Sequence, residues 1–166
     1  MGQYNAKIMA EFNPPRKWKL GRDLSYTTED LTADEVKALK GVGVKIKKAK
    51  NSNTITVPEG FITDLASVPR PMWWAIAPFD VARAAIIHDL LYKTIRQYRW
   101  KMKDLEVEED KELIKLAKIA SDKVFWLAMK DAEPKVSNWK IYSSWKAVDL
   151  FGNGSIIPNE YNIYFT

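Results

Sequence analysis

The fold is organised around V-P-E-G-F-I-T-D-L-A-S-V-P-R, residues 57–70, and A-A-I-I-H-D-L-L-Y, residues 84–92. The second stretch contains His88, the only histidine of the chain, directly followed by Asp89. Apolar residues occupy nearly every side of the helix expected there, which is typical of a buried helix. Because a buried carboxylate is costly unless it is paired, hydrogen-bonded or metal-bound, this His-Asp pair predicts a polar site in the core.

Composition limits the class of protein and the kind of metal site. The 166 residues are 46% hydrophobic, which predicts a single domain over residues 1–166 with a substantial core. One histidine and no cysteine exclude a zinc site built from those two residue types, so any metal would be a hard cation such as calcium or magnesium. The net charge of +5 is mild and disfavours nucleic acid as the partner. We see no signal peptide and no apolar run long enough to span a membrane.

The order of patterns along the chain predicts an α+β fold, with a small N-terminal antiparallel sheet packed against a C-terminal bundle of about three helices. Residues 1–57 are expected to be mainly strands, with a turn or bulge at Gly21 and a short helix that a Thr32–Glu35 capping box begins. Residues 58–79 read as a proline- and aromatic-rich loop and residues 80–152 as helical. Glycines at 152 and 154 are expected to end the last helix, which leaves residues 153–166 as an extended tail.

Aromatic residues are concentrated in the predicted loop and the predicted tail. They are Trp73, Trp74, Tyr161, Tyr164 and Phe165. Such residues either seal the core beneath a long connection or form a surface that contacts another chain. Both interpretations remain open at this stage.

Helical spacing assigns different tasks to the polar residues near His88. His88 and Tyr92 are four residues apart and share a face, whereas Asp89 points about a quarter-turn away. A histidine can take a proton from water while a separate carboxylate holds a cation, here Asp89. The histidine then needs a second acid to fix its tautomer, and the candidates are Asp64 and Asp122.

Each of these residues also has a simpler interpretation. Asp122 and Lys118 have the spacing of an ordinary surface ion pair. His88 could be a core histidine whose ring bonds a backbone carbonyl. Ser67 could be a nucleophile with His88 as its base, but it lacks the G-x-S-x-G turn that such serines usually occupy.

The two quoted stretches, together with S-D-K-V-F-W-L-A-M-K at residues 121–130, resemble the signature blocks of a small family of phage and prophage proteins of unknown function. The resemblance covers residues 17–30 weakly and residues 54–152 well. It implies an origin in a tailed phage or prophage, and hence a location in the virion or in the cytoplasm of a bacterial host.

A second resemblance concerns chemistry. H-D-x-x-Y on one helix, followed by an Asp-bearing helix, is similar to the layout of calcium-dependent phospholipases A-two. This implies His88 as general base, Asp89 as calcium ligand, and Tyr92 and Asp122 as supports of the histidine. The chain departs from that layout because it lacks a Gly-rich calcium loop, so Asp64 or loop carbonyls would have to substitute, and because it lacks the disulfides of the secreted enzymes.

Two functions therefore follow from the sequence. The first is a virion- or tail-associated structural or assembly protein that binds other phage proteins or itself, with His88, Asp89 and Asp64 in a buried polar network. The second is a small esterase- or lipase-like hydrolase that acts on lipids or other esters of the cell envelope, with calcium as its metal. Whether the protein is an enzyme stays open at this stage.

Overall fold

The computed structural model describes residues 2–14, 17–63 and 81–164, except for the side chains of Asn13 and Tyr164. Within these residues the predicted α+β class is confirmed. The strands are β1 Gln3–Tyr4, β2 Ala10–Asn13, β3 Lys17–Leu20, β4 Leu24–Thr28, β5 Ile46–Lys48, β6 Asn53–Val57 and β7 Ile62–Thr63. The helices are α1 Ala33–Gly41, α2 Ala82–Asp104, α3 Lys111–Lys130, α4 Asn138–Ser155 and α5 Glu160–Tyr164.

The strands form two small antiparallel sheets, one with the order β1-β4-β6-β5 and one with the order β2-β3-β7. The chain passes from the second sheet to the first at Gly21, whose amide donates to the carbonyl of Met9 at 2.8 Å. A single strand through this position would put both segments in one sheet. The change of direction at Gly21 therefore separates β3 of one sheet from β4 of the other.

Helix α1 begins at the predicted capping box. The Thr32 hydroxyl accepts from the Glu35 amide at 3.2 Å, and the Glu35 carboxylate accepts from the Thr32 amide at 2.8 Å. Glu35 also pairs with Lys123 of α3 at 2.8 Å. The cap thus starts α1 and ties it to the helical bundle.

Helix α3 lies at the centre of the bundle and packs against α1, α2 and α4, while α2 also packs against β4 and β6. The inward faces are lined by small and branched side chains, which lets the helices approach closely. The bundle core includes Ala84, Ala85, Ile87, Leu91, Ala117, Ala120, Val124 and Ala128. In the part of the chain described, none of the helices is both long and apolar enough to cross a membrane.

The prediction of an extended tail is wrong for much of residues 153–166. Helix α4 continues through Gly152 and Gly154 to Ser155, and α5 follows at residues 160–164. Asn159 starts α5, because its side chain accepts from the Asn162 amide and its own amide donates to the Asn162 side chain, both at 2.8 Å. This reciprocal cap is the asparagine counterpart of a capping box.

Candidate functional site

Helix α2 places His88 in the interior of the bundle. His88 and Tyr92 lie one turn apart, with ring centroids separated by 4.0 Å, and Phe125 of α3 lies 4.9 Å from the imidazole. The exposed fraction of His88 is 0% and that of Tyr92 is 4%. The burial predicted from the apolar surroundings of His88 is therefore found in the fold.

Asp122 of α3 joins these side chains into one network. Its Oδ1 atom lies 3.0 Å from Nε2 of His88 and accepts the Tyr92 hydroxyl at 2.7 Å. Its Oδ2 atom accepts from Nζ of Lys118 at 2.8 Å. Of the two acids that the sequence suggests as partners of the histidine, Asp122 is thus the one in contact with it among the described residues.

The contacts of the imidazole define its tautomer. An ionised carboxylate only accepts hydrogen bonds, so Nε2 of His88 must carry a proton and donate it to Asp122. In a neutral ring the other nitrogen, Nδ1, is then a bare acceptor. Nδ1 is buried and has no hydrogen-bond partner among the described residues. Nε2 of His88 thus bonds a carboxylate and not a backbone carbonyl, and no backbone carbonyl of residues 2–14, 17–63 or 81–164 bonds Nδ1.

The surroundings favour a neutral imidazole beside an ionised carboxylate. Burial lowers the pKa of His88; the Asp122 carboxylate opposes this, and the charges of Lys118 and Arg96 add to the lowering. Burial alone would raise the pKa of Asp122, but the hydrogen bonds from His88, Lys118 and Tyr92 outweigh it and lower that pKa. Burial and the adjacent carboxylate raise the pKa of Tyr92, so its hydroxyl stays protonated and can donate.

The interpretation of Lys118 and Asp122 as a surface pair is wrong. The two side chains do pair, but the exposed fraction is only 7% for Lys118 and 4% for Asp122. The Lys118 ammonium also donates to the backbone carbonyl of Asp149 in α4 at 3.4 Å. Lys118 was missed as a site residue because lysine spaced four from aspartate is far more common on a helix surface. The sequence signal for the burial of Lys118 was the presence of apolar residues on both faces of α3.

Gly152 is a second contributor that the sequence did not indicate. It is buried in α4, and a Cβ atom at this position would lie 2.2 Å from the Tyr92 hydroxyl oxygen and 3.2 Å from Cε of Lys118. Glycine therefore serves close packing of α4 on the site and does not end the helix. Gly154, by contrast, has nothing within 4 Å of such an atom.

Asp89 and Asp64 are the two acids that the sequence predicts as metal ligands. Asp89 is half-buried on α2 and accepts a hydrogen bond from the Thr63 hydroxyl at the end of β7. Asp64 lies outside the described residues. Within residues 2–14, 17–63 and 81–164, no group of three or more acidic or histidine side chains is arranged to hold a metal ion. Calcium takes six to eight oxygen ligands, of which Asp89 would supply only one or two.

The predicted interface residues are only partly described. Trp73, Trp74 and Phe165 lie outside the described residues, and Tyr164 is the last residue of α5. Tyr161 is 65% exposed on α5. Exposed apolar side chains on the neighbouring α4 are Trp139, Tyr142, Leu150 and Phe151.

Fold and site together define an α+β protein built around a buried His-Asp-Tyr-Lys network. A family model described as "Protein of unknown function (DUF1353)" matches residues 42–148, and the chain belongs to this family. The matched region contains all four residues of the network and ends just before Gly152. Neither the curated proteins nor the solved structures contain a match to the chain.

Proposed function

We propose that the protein is a hydrolase in which His88 acts as a general base toward water. The observation that carries this proposal is a buried imidazole whose Nε2–H is held by an ionised carboxylate, while its Nδ1 atom bonds none of the described residues. A general base needs this combination of a free lone pair on one nitrogen and a fixed proton on the other.

A purely structural network would be expected to satisfy every buried polar atom. Leaving a buried acceptor without a partner costs about 1–3 kcal/mol, so native proteins keep few such atoms, and catalysis is one recognised reason for keeping one. In the part of the chain that the structure describes, Nε2 of His88 has a charge-assisted hydrogen bond, whereas Nδ1 has no partner. This asymmetry supports catalysis over packing as the role of the network.

The proposed reaction is ester hydrolysis. Nδ1 of His88 removes a proton from water while the water oxygen forms a bond to the ester carbonyl carbon. The carbon–oxygen bond to the leaving alcohol then breaks, and the proton passes from Nδ1 to the leaving oxygen. Asp122 stabilises the imidazolium that forms in between, and Tyr92 holds Asp122 in place. Esters of the cell envelope are proposed as substrates because His88, Asp89, Tyr92 and Asp122 resemble the layout of phospholipases A-two.

Hydrolysis of short-chain esters and of phospholipid vesicles tests this proposal. Replacing His88 with alanine should reduce the rate by about 10²–10⁴-fold, the usual contribution of a general base. Asp122→Asn should cause a similar large loss because the tautomer is no longer fixed. The matched control is Asp131→Asn. Asp131 follows the last residue of α3 and, like Asp122, accepts a tyrosine hydroxyl, that of Tyr26 at 2.7 Å, but it is not among the described hydrogen-bond partners of His88. Equal rates for wild type and the His88 variant would refute the proposal.

Because His88 is fully buried, catalysis also requires that reagents reach Nδ1. Diethyl pyrocarbonate acylates an unprotonated imidazole nitrogen. Because His88 is the only histidine of the sequence, an acylated histidine can only be His88. We expect the native protein to be acylated at neutral pH, as detected by mass spectrometry. Substrate should slow this acylation. Acylation that occurs only after unfolding by urea would show a sealed site and would contradict the proposed role.

Calcium is proposed as the metal of this enzyme, with Asp89 as one ligand. A cation at one hundred times its dissociation constant stabilises the native state by about 2.7 kcal/mol. For a domain of this size that corresponds to a rise in Tm of about 5–11 °C. We expect the rise in the wild type and its loss in Asp89→Asn. The absence of any response in the wild type would remove calcium from the proposal without affecting the role of His88.

The second proposed function is that of a virion- or tail-associated structural or assembly protein that binds phage proteins or itself. The observation in its favour is the exposure of large apolar side chains on α4 and α5. They are Trp139, Tyr142, Leu150 and Tyr161, each at least 55% exposed. The first three share one face of α4 by their spacing of three and eight residues. Large exposed aromatic residues on one face are typical of protein–protein contacts.

Sedimentation tests this second function. The purified protein should self-associate or co-sediment with phage particles, and Leu150→Lys should weaken either association. Asn153→Lys, on the same helix and also exposed, is the control for added charge. A wild-type protein that stays monomeric and never accompanies particles would rule this function out.

A further inference from the structure

A cleft of about 330 Å³ lies beside the histidine network, and the proposed reaction makes no use of it. Its walls come from α2, α3 and α4, and Lys118 of the network lines it. Sites for small molecules are concave and occupy about 300–1,000 Å³, so this cleft is large enough for one small ligand. The chemistry of such a ligand follows from the charges and the apolar side chains of the walls.

Three ion pairs balance most of the charge of these walls. They are Arg99–Glu109, Lys118–Asp122 and Lys146–Asp149, at 2.8, 2.8 and 3.0 Å. In the first pair the guanidinium donates to both carboxylate oxygens, which fixes the orientation of the two side chains. Because each pair joins one cation to one anion, the three pairs add no net charge to the cleft.

Lys111 and Lys115 are the lining cations that these pairs leave over. Both are exposed on α3, and neither forms an ion pair with any of residues 2–14, 17–63 and 81–164. Their spacing of four residues puts them on one face of the helix, where like charges repel each other. The cleft therefore carries an excess of two positive charges, and an anion bound between these lysines would relieve the repulsion.

Lys118 offers a further hydrogen-bond donor. Its ammonium group has three N–H donors, and two acceptors contact it, namely Oδ2 of Asp122 at 2.8 Å and the backbone carbonyl of Asp149 at 3.4 Å. The third N–H has no acceptor in the described part of the chain and is available to a ligand. The side-chain amide of Asn153, which is exposed on α4, also lines the cleft and can donate.

Apolar side chains form the rest of the lining. They are Ile114, Ile119 and Ile156, of which Ile119 is 50% exposed. The methylene groups of Lys111 and Lys115 extend this apolar surface. A ligand that fits these walls therefore joins an anionic group to a small apolar group.

We propose that the cleft binds a phosphate monoester, with the phosphate between Lys111 and Lys115 and the esterified carbon group against Ile119. A phosphate monoester carries a charge of about −1.5 to −2 at pH 7, which matches the two excess positive charges, whereas a carboxylate carries only one negative charge. Lysine binds phosphate as a point charge and needs no fixed geometry, which suits two exposed lysine side chains.

The same phosphate chemistry occurs in soluble phosphate monoesters and in lipids whose headgroup is a phosphate monoester, such as phosphatidic acid. Both are therefore included in the test. Hydrolysis of an ester plays no part in this proposal, which holds or fails independently of the role of His88.

Isothermal titration calorimetry with phenyl phosphate at low ionic strength tests the proposal. We expect one site per chain and binding about tenfold tighter than that of inorganic phosphate, a gain that corresponds to removing about 60 Å² of apolar surface from water. Lys111→Met and Lys115→Met should each raise the Kd about tenfold, because each removes one charge-assisted contact. The matched control is Lys130→Met, which removes the same charge from an exposed position at the other end of α3 and should leave the Kd unchanged.

Three results would overturn the proposal. The first is the absence of binding to the wild type. The second is an equal change of Kd in Lys115→Met and Lys130→Met, which would show attraction by net charge without a site. The third is equal affinity for phenyl phosphate and benzoate, which has the same ring but a single negative charge, since this would refute the assignment to phosphate.

Vesicles identify the source of the phosphate group. Sedimentation of the protein with phosphatidylcholine vesicles is compared in the presence and absence of phosphatidic acid, with free phenyl phosphate as the competitor. Co-sedimentation that requires phosphatidic acid, that phenyl phosphate reverses and that Lys115→Met weakens would assign the site to a lipid headgroup. Binding of phenyl phosphate without co-sedimentation would assign it to a soluble phosphate monoester.

Discussion

Replacing Gly152 with alanine should destabilise the protein and disturb the histidine site at the same time. The added Cβ atom would lie 2.2 Å from the Tyr92 hydroxyl oxygen and 3.1 Å from its Cζ atom. The hydroxyl cannot move away at no cost, because it is buried and donates to Asp122 at 2.7 Å. Either the tyrosine ring or helix α4 must therefore shift.

The magnitude follows from the two ways of relieving this clash. If the ring turns away, a hydrogen bond to a charged acceptor worth about 1.5–3 kcal/mol is lost. If α4 moves, overpacking costs about 1–3 kcal/mol. Alanine gains up to about 1 kcal/mol over glycine from helix propensity, which offsets part of either cost. We expect a net loss of about 1–2 kcal/mol in the free energy of unfolding, or about 2–8 °C in Tm.

Urea unfolding followed by far-UV circular dichroism measures this difference. The matched control is Gly154→Ala, two residues further along the same helix, where the added atom meets nothing within 4 Å. That variant should be neutral or slightly stabilised. In a Tyr92→Phe background, which lacks the hydroxyl, the cost of Gly152→Ala should shrink. Equal stability of the two alanine variants would refute the close approach of α4 to Tyr92.

Three further predictions concern the titration of His88, the N-terminal cap of α1, and the hydroxyl groups of Tyr26 and Tyr92. Because burial lowers the pKa of His88, the unfolded chain binds its proton more readily, so stability should fall as the pH is lowered from about 6.5. His88→Gln should flatten that dependence in urea titrations at several pH values; an equally steep dependence would contradict it. Thr32→Ala should lose about 1 kcal/mol with the cap of α1, as measured by thermal unfolding, and an unchanged Tm would show that the cap is not needed. Tyr26→Phe and Tyr92→Phe each remove a hydroxyl bonded to a carboxylate and should lower the free energy of unfolding by about 1.5–3 kcal/mol. Only Tyr92→Phe should also shift the NMR signals of His88, and a shift in both variants would contradict this.

The site was only partly predictable from the sequence. Helical spacing placed His88 and Tyr92 on one face, and the unusual polar pair in an apolar helix marked the site. The choice between Asp122 and Asp64 remained open, because it depends on how two helices far apart in the chain pack together. The structure places Asp122 in contact with His88, and Asp64 lies outside the described residues.

The sequence by itself determined the local features: the α+β class, the start of α1 at its capping box, the turn at Gly21 and the burial of α2. These depend on side-chain periodicity and on bonds between near neighbours, which short stretches of sequence contain. Only the tertiary structure decided the burial of the Lys118–Asp122 pair, the passage of α4 through Gly152, and the contact between Nε2 of His88 and Asp122. Each of these depends on which surface of another helix covers a residue, and spacing along one helix cannot specify that.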